Sequence, residues 1–466
     1  MATSPASTSD ASIAARLDRL PPSRYVRGLV MRISLGGFFE FYDLFMTAYI
    51  AVGFLRAKIF VASAQGFFDV RGFASFVGAG FAGMFVGTLL FSWISDRYGR
   101  RATFTLSLLW YSLATLVMAC MSTPAAIDAW RFLAGIGVGV QLITIDTYIT
   151  EITPKESRGS AIALSQFVTF WAVPCVALIA YLLVPRTIAG FDGWRFVALI
   201  GALGAVAVWP LRAGLPESPR WLETHGRRDE ALRGLREMEG RVAAETGRPL
   251  PPPEEHLAGK GETTRGAWSE IWQAAYRQRT VMLIVFNVFQ TIGFYGFASW
   301  VPTLLLSEGI TETRSLAYVF IIALVNPLGA LIGVRYADRL QRKWQIVVLA
   351  LIIAVCGLLW AQQRTAAGIV VLGALITLAN NWFSVAYHAY QAELYPTRIR
   401  AQAVGFVYSW SRFSSIFVGF VIAAVLRAYG VGGVFVIIAI AMAIVAATIA
   451  LLGPLTNRVR LEALSR

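Results

Sequence analysis

Three cysteines, three histidines and five asparagines are spread through 466 residues, and each scarcity excludes something. Cys120, Cys175 and Cys356 all fall inside apolar stretches, so no disulfide framework is expected. No Gly-x-x-x-x-Gly-Lys-Ser/Thr segment, no nucleophile elbow and no metal-spaced Cys/His cluster occurs. Neither a nucleotide-driven motor, an enzyme, a cofactor nor a metal is therefore expected. Charge is also sparse: 15% of residues are charged and 57% are hydrophobic, with a mean hydropathy of +0.61. A soluble core cannot hide that much apolar surface.

What is present is a series of long apolar runs. Each is about 20 residues, the length that crosses roughly 30 Å of hydrocarbon. About twelve are legible, near 30–54, 74–95, 103–122, 129–150, 158–184, 194–213, 280–305, 315–335, 345–361, 367–390, 402–426 and 431–453. The expected fold is an all-α membrane protein of two six-helix bundles, 1–213 and 279–466, joined by a polar linker over 214–278. The linker is rich in Arg and Glu at i, i+3 and i, i+4 spacings, which reads as short amphipathic helices. The first twenty residues lack the apolar segment of a cleavable signal.

The net charge of +14 points away from nucleic acid once its positions are read. Arg16 to Arg32, Arg97 to Arg101, Lys155, Arg158, the linker, Arg335 to Lys343, Arg398, Arg400 and the tail all lie on one side of the apolar runs. That asymmetry is topogenic and places both termini in the cytoplasm. None of Asn287, Asn326, Asn380, Asn381 and Asn457 opens an N-x-Ser/Thr sequon, which fits a bacterial inner membrane; a monomer in the lipid bilayer is expected.

The two expected bundles share a repeat. Asp96-Arg97-Tyr98-Gly99-Arg100-Arg101 recurs as Asp338-Arg339-Leu340-Gln341-Arg342-Lys343, an offset of 338 − 96 = 242. Glu151-x-x-Pro154-x-x-x-Arg158 recurs as Glu393-x-x-Pro396-x-x-x-Arg400, and 393 − 151 is again 242. Topogenic charge alone explains the Arg but not Asp, Glu and Pro in register. These groups can form a conformational latch of individually weak, wet ion pairs at helix ends: Asp96, Arg97, Arg100, Arg101, Glu151 and Arg158, with Asp338, Arg339, Arg342, Glu393 and Arg400.

On these motifs the chain resembles the major facilitator superfamily of transporters. Asp96 to Arg101 is similar to its loop signature, with Ser92 and Gln341 in place of glycines. Arg131 followed by Gly135, Gly137 and Gly139 resembles its fourth-helix pattern, and Pro216-Glu217-Ser218-Pro219-Arg220-Trp221-Leu222 resembles its sugar-porter and organic-ion branch. The fifth run, having only Pro174, lacks the Gly-rich pattern of drug–proton antiporters.

Ionisable groups near the bilayer midplane carry the functional expectation, since each costs roughly 2.5–3.5 kcal/mol unless paired or hydrated. Glu40 and Asp43 lie roughly 12 and 16 Å along the first helix from Arg32. Being i and i+3, they share a face, and two close carboxylates in low dielectric cannot both ionise cheaply. They are the expected proton-coupling groups, with Arg131; a fixed ion pair of one of them with Arg131 is the structural alternative. The stretch resembles the acidic first-helix motif of the superfamily's organic-acid symporters. Arg412 lies about 15 Å into the eleventh run, where a guanidinium needs an anion. The resemblance implies a negatively charged cargo there; an internal ion pair to Glu40 or Asp43 is the alternative.

Tyr42, Gln290, Tyr295, Asn380, Trp382, Tyr387, Tyr408 and Trp410 complete the expected binding set, an apolar wall with a few polar groups. His388 reads as a helix-end hydrogen-bonder before a proton carrier. The expectation is proton-coupled symport of a small organic anion, such as nicotinate or a benzoate-like acid, by alternating access. A sugar–proton symporter, motivated by Pro216 to Leu222, Gln166 and Gln290, and a non-transporting sensor are the competing readings. The repeat fails at the proposed site: 412 − 242 = 170 is Phe170, and 388 − 242 = 146 is Asp146.

Overall fold

The computed structural model describes residues 12–62, 66, 68–90, 92–204, 206, 210, 214–253, 268–336, 340–395 and 397–456. Asp338 and Arg339 lie outside the described residues, as do the side chains of Asp96 and Arg400. The fold is all-α and multi-span, with one two-stranded hairpin, β1 (Thr187–Ile188) and β2 (Phe191–Asp192).

The N-terminal part runs α1 (Ile13–Asp18), α2 (Arg24–Arg56), α3 (Phe73–Leu90), α4 (Ser92–Tyr98), α5 (Arg100–Cys120), α6 (Pro124–Ile152), α7 (Arg158–Phe170), α8 (Ala172–Leu183) and α9 (Gly193–Ala202). Two polar helices follow, α10 (Pro219–Thr224) and α11 (Arg228–Thr246). The C-terminal part runs α12 (Ala274–Ala298), α13 (Val301–Ser307), α14 (Glu312–Ala323), α15 (Asn326–Tyr336), α16 (Arg342–Trp360), α17 (Ala366–Glu393) and α18 (Thr397–Leu452).

Local chemistry sets the helix ends. Ser23, Thr123, Ser218 and Thr365 each accept a backbone N–H from the first turn of the helix they precede. Pro124 and Pro219 sit in first turns, where a missing N–H costs nothing.

Among the described residues, nine helices or jointed helix pairs are long and apolar enough to span a bilayer, and Phe73–Leu89 and Gly193–Ala202 are shorter apolar helices. The expected runs 158–184 and 315–335 are jointed rather than continuous. Pro174 lacks the N–H that would bond to Phe170, and the helix breaks at Trp171. Pro327 does the same opposite Ala323, whose carbonyl is taken instead by the Asn326 amide at 2.9 Å. Conversely, the last two expected runs form one long helical element, α18, interrupted at Gly430 with φ +65°. Only glycine reaches that backbone region without a steric penalty.

Helices α3 and α6 cross closely because both faces are glycine. Cβ atoms at Gly83 and Gly87 would collide with the backbone carbonyls of Phe132 and Ile136, and at Gly135 and Gly139 with those of Gly80 and Met84. At the end away from the basic loops, aromatic pairs join the two parts of the chain. Phe73 meets Trp300 edge-on at 5.2 Å, Phe81 meets Tyr295 at 4.6 Å, and Phe68 meets Phe420 at 5.1 Å.

A second, smaller core sits at the basic end. Ile13, Leu17 and Leu20 pack with Trp221 and Leu222 of α10 and with Ala231, Leu235, Met238 and Val242 of α11. Glu239 of α11 accepts from Arg16 at 2.6 Å and Arg19 at 2.8 Å, all three side chains nearly buried. Burial alone would raise the Glu239 carboxyl; the hydrogen bonds from Arg16 and Arg19 outweigh it and hold it below the ordinary glutamate value. A depressed carboxyl contributes stability above its unfolded value and loses it as pH falls through the folded one. The Glu239 contribution to docking of 13–20 is therefore full at neutral pH and is lost on acidification below the ordinary glutamate range. The protection of the residue 13–18 amides, their exchange rate relative to the intrinsic rate at each pH, is expected to fall over that window in the wild type. In Glu239→Gln protection is expected to be low already at neutral pH and to change little on acidification.

Candidate functional site

Between the N- and C-terminal parts lies a cavity of about 350 Å³, within the usual range for a small-molecule site. Its wall runs from Leu44 and Phe45 at depth to Thr147, Gln391 and Val404 toward the basic end. Asp146 and His388 are solvent-exposed within it, so it is open rather than sealed. Of the expected binding residues, Gln290, Tyr295, Tyr387, Tyr408 and Arg412 line it together.

Four others do not. The Tyr42 hydroxyl donates to the Val197 carbonyl at 3.0 Å, and Trp382 donates to the Gln345 side chain at 2.9 Å while stacking on Tyr336. Trp410 packs against Phe406 and Phe413, and Asn380 is buried off the cavity. Their helical positions gave no sign of which face turns inward, because every face of such a helix is apolar.

The two first-helix carboxylates are separated by their partners. Asp43 is 1% exposed and fully satisfied: Arg131 donates to one oxygen at 2.6 Å and Thr115 to the other at 2.7 Å. Arg131 also donates to the Asp43 carbonyl and to Thr47, with its guanidinium 5.5 Å from the centre of the Phe76 ring. The fixed pair read as an alternative is thus present. Glu40 instead lines the cavity, 1% exposed, with its Oε1 unpartnered.

Arg412 is 5% exposed and donates to the Tyr295 hydroxyl at 2.9 Å and the Tyr408 hydroxyl at 2.8 Å. Among the described residues it makes no ion pair, so the internal salt bridge to Glu40 or Asp43 is corrected to a tyrosine clamp. His388 stacks on Tyr387 at 4.2 Å and donates Nδ1–H to the Ser384 carbonyl at 2.8 Å, leaving Nε2 as the free acceptor of its neutral form.

Positions 242 apart recur in the lining although the chemistry differs in all pairs but the hydroxyls Thr169 and Ser411. Ile145 and Tyr387, Asp146 and His388, Gln166 and Tyr408, Thr169 and Ser411, and Phe170 and Arg412 are all such pairs, and all ten residues line the cavity. The same offset relates two ion pairs at the basic end. Arg100 pairs with Glu151 at 2.9 Å and Arg342 with Glu393 at 2.5 Å (342 − 100 = 242). Both join helices within one part of the chain rather than across the two.

Three acidic groups that carry this end were not picked out as partners from the sequence. Glu217 accepts the backbone N–H groups of Arg100, Arg101 and Ser218, capping α5. Burial raises its carboxyl above the ordinary value, against the lowering effect of those three N–H groups. Asp18 takes Arg220 at 2.8 Å and Arg158 at 3.9 Å, so Arg158 faces α1 rather than Glu151. The third is Glu239. Arg97 lies over the Tyr98 ring at 5.7 Å. The signal for Glu217 was the Pro216 to Leu222 motif; nothing local marked Asp18.

A buried pair that loses one member leaves the other charge uncompensated, at roughly 3–5 kcal/mol. Arg131→Leu is therefore expected to lower thermal stability in detergent strongly, and adding Asp43→Asn is expected to restore much of it. Additive losses in that cycle would show that the pair is not coupled.

The family described as "Sugar (and other) transporter" matches residues 29–466. The putative metabolite transport protein YdjK of Escherichia coli is 32% identical over 458 residues, 97% of this chain and 96% of that protein. The niacin transporter NiaP of Acinetobacter baylyi is 28% identical over 97% of this chain and 99% of its own length. The inward-open xylose transporter XylE of E. coli superimposes with a TM-score of 0.75 at 19% identity, covering 94% of this chain and 99% of that one.

Proposed function

The chain belongs to the sugar (and other) transporter family of the major facilitator superfamily, and from that premise we propose that it is a proton-coupled symporter of a small organic anion, working by alternating access. Transport, not catalysis, is the business of this family. Twelve spans are reached from the nine apolar spans above by adding the two shorter apolar helices and dividing α18 at Gly430. They form two six-helix bundles, 1–213 and 279–466, with 214–278 on the cytoplasmic face. The basic loops lie inside. Both termini are then cytoplasmic in a bacterial inner membrane, and the cavity faces inward behind the Phe73–Trp300 and Phe81–Tyr295 contacts. The repeat-related pairs Arg100–Glu151 and Arg342–Glu393 serve as the latch, holding each bundle's helix ends as a rigid unit. Proton coupling is assigned to Asp43, whose charge Arg131 balances, with Glu40 one turn away.

The observation that carries the anionic cargo is Arg412: a guanidinium in the cavity wall, held by two neutral hydroxyls and no carboxylate among the described residues. The name of the niacin relative is in keeping with it. The family description and the likeness to the xylose transporter lean the other way and weigh more for a sugar. Gln166 and Gln290 in the lining suit sugar hydroxyls, so this second reading stands on its own observation.

Competition uptake separates them. Excess small aromatic carboxylates are expected to inhibit uptake, and Arg412→Ala is expected to weaken their binding roughly ten- to hundredfold, the range of a charge-assisted hydrogen bond. Inhibition by hexoses or pentoses with no effect of carboxylates would sink the anion reading.

A further inference from the structure

The cavity presents charge of both signs, one from each part of the chain. Arg412 comes from α18 of the C-terminal part; Glu40 of α2 and Asp146 of α6 come from the N-terminal part. Glu40 is the unusual member. It is 1% exposed, it lines the cavity, and its Oε1 meets no donor. Asp43, one turn along the same helix, has a donor on each oxygen. A buried acceptor without a partner is costly, and native structures rarely tolerate one unless something else supplies the hydrogen bond.

Among the described residues, the surrounding side chains do not supply it. Among the described residues the lining holds two basic side chains: Arg412, whose two terminal nitrogens donate to Tyr295 and Tyr408, and His388, whose Nδ1–H is spent on Ser384. The charged groups that face Glu40 are Asp146, Arg412 and Asp43, two of them of its own sign. Phe41, Phe170 and Phe294 also line the cavity, apolar surface suited to a flat or aliphatic body.

We propose that the cargo is amphoteric: it carries a carboxylate that takes Arg412, and a nitrogen bearing N–H that donates to Glu40. Asp146 adds negative potential on the same side and favours a cationic nitrogen. Glu40 is then the specificity residue that separates such solutes from plain carboxylic acids. This rests on the organic-anion reading of Arg412, and it goes further by fixing the chemistry of the cargo's other end.

The test is equilibrium binding to the purified full chain with two isosteric pairs. The probes are 3- and 4-(aminomethyl)benzoate against 3- and 4-ethylbenzoate, which replace a CH2–NH3+ group by CH2–CH3. At least one aminomethyl compound is expected to bind tenfold or more tightly than its ethyl partner. Glu40→Gln is expected to bring the two affinities to within about twofold of each other. If the ethyl compounds bind as tightly as the aminomethyl ones and lose binding in Arg412→Ala, the amphoteric proposal is overturned while the anion reading stands. If no carboxylate binds and a hexose does, the anion reading itself has failed. The wild-type comparison decides the matter even where Glu40→Gln does not fold.

Discussion

A buried guanidinium and carboxylate tolerate few arrangements, and the Asp43–Arg131 pair is the one at which three of the N-terminal helices meet. Arg131 of α6 reaches α2 through three hydrogen bonds, to the Asp43 carboxylate, the Asp43 carbonyl and Thr47, while Thr115 of α5 closes the second Asp43 oxygen. Three helices are thereby tied at one buried point, and Gly80 of α3 leaves room for the Arg131 side chain, where a Cβ would lie 3.0 Å from its Nε. Such a pair is weak ground for stability, because desolvation offsets much of its attraction. Its value lies in what happens when one charge is neutralised, since the remaining arginine must then find another partner or water.

Asp43 does not line the cavity, whereas Glu40, one turn before it on α2, does. One turn of helix separates a carboxylate that is fully bonded from one that faces the solute space. On the assignment proposed above, proton and cargo lie within a turn of each other without sharing a ligand, an arrangement that lets the occupancy of one change the cost of the other. The five lining pairs at an offset of 242 show the frame that holds this site: the backbone positions repeat while the side chains have diverged. Arg412 has Phe170 as its counterpart and His388 has Asp146, so a symmetric frame encloses an asymmetric field.

The repeat, the apolar runs and the charged helix ends were legible because each depends on spacing along the chain. Arg100 with Glu151 and Arg342 with Glu393 are found paired at the separation that the repeat carries in both copies. The joints at Trp171 and Leu324 were less so, although Pro174 and Pro327 mark them in retrospect by the N–H each removes. Which aromatic faces the cavity was not legible at all. Tyr387 and Trp382 lie on one helix (387 − 382 = 5 residues apart), yet only the first reaches the solute space. In a helix that is apolar all round, hydrophobic periodicity carries no orientation. The Asp18 contacts with Arg158 and Arg220 were equally hidden, because they join elements 140 and 202 residues away (158 − 18 and 220 − 18).

Coupling of proton to solute movement is the central claim, and it is accessible in weakly buffered proteoliposomes. The solute that wins competition is added outside, with protein-free vesicles as the control, and the external pH is followed as the solute enters. External alkalinisation is expected to keep pace with solute entry in the wild type. In Asp43→Asn, solute exchange is expected without that signal. Solute entry in the wild type with no accompanying proton movement, or an undiminished signal in Asp43→Asn, would contradict it.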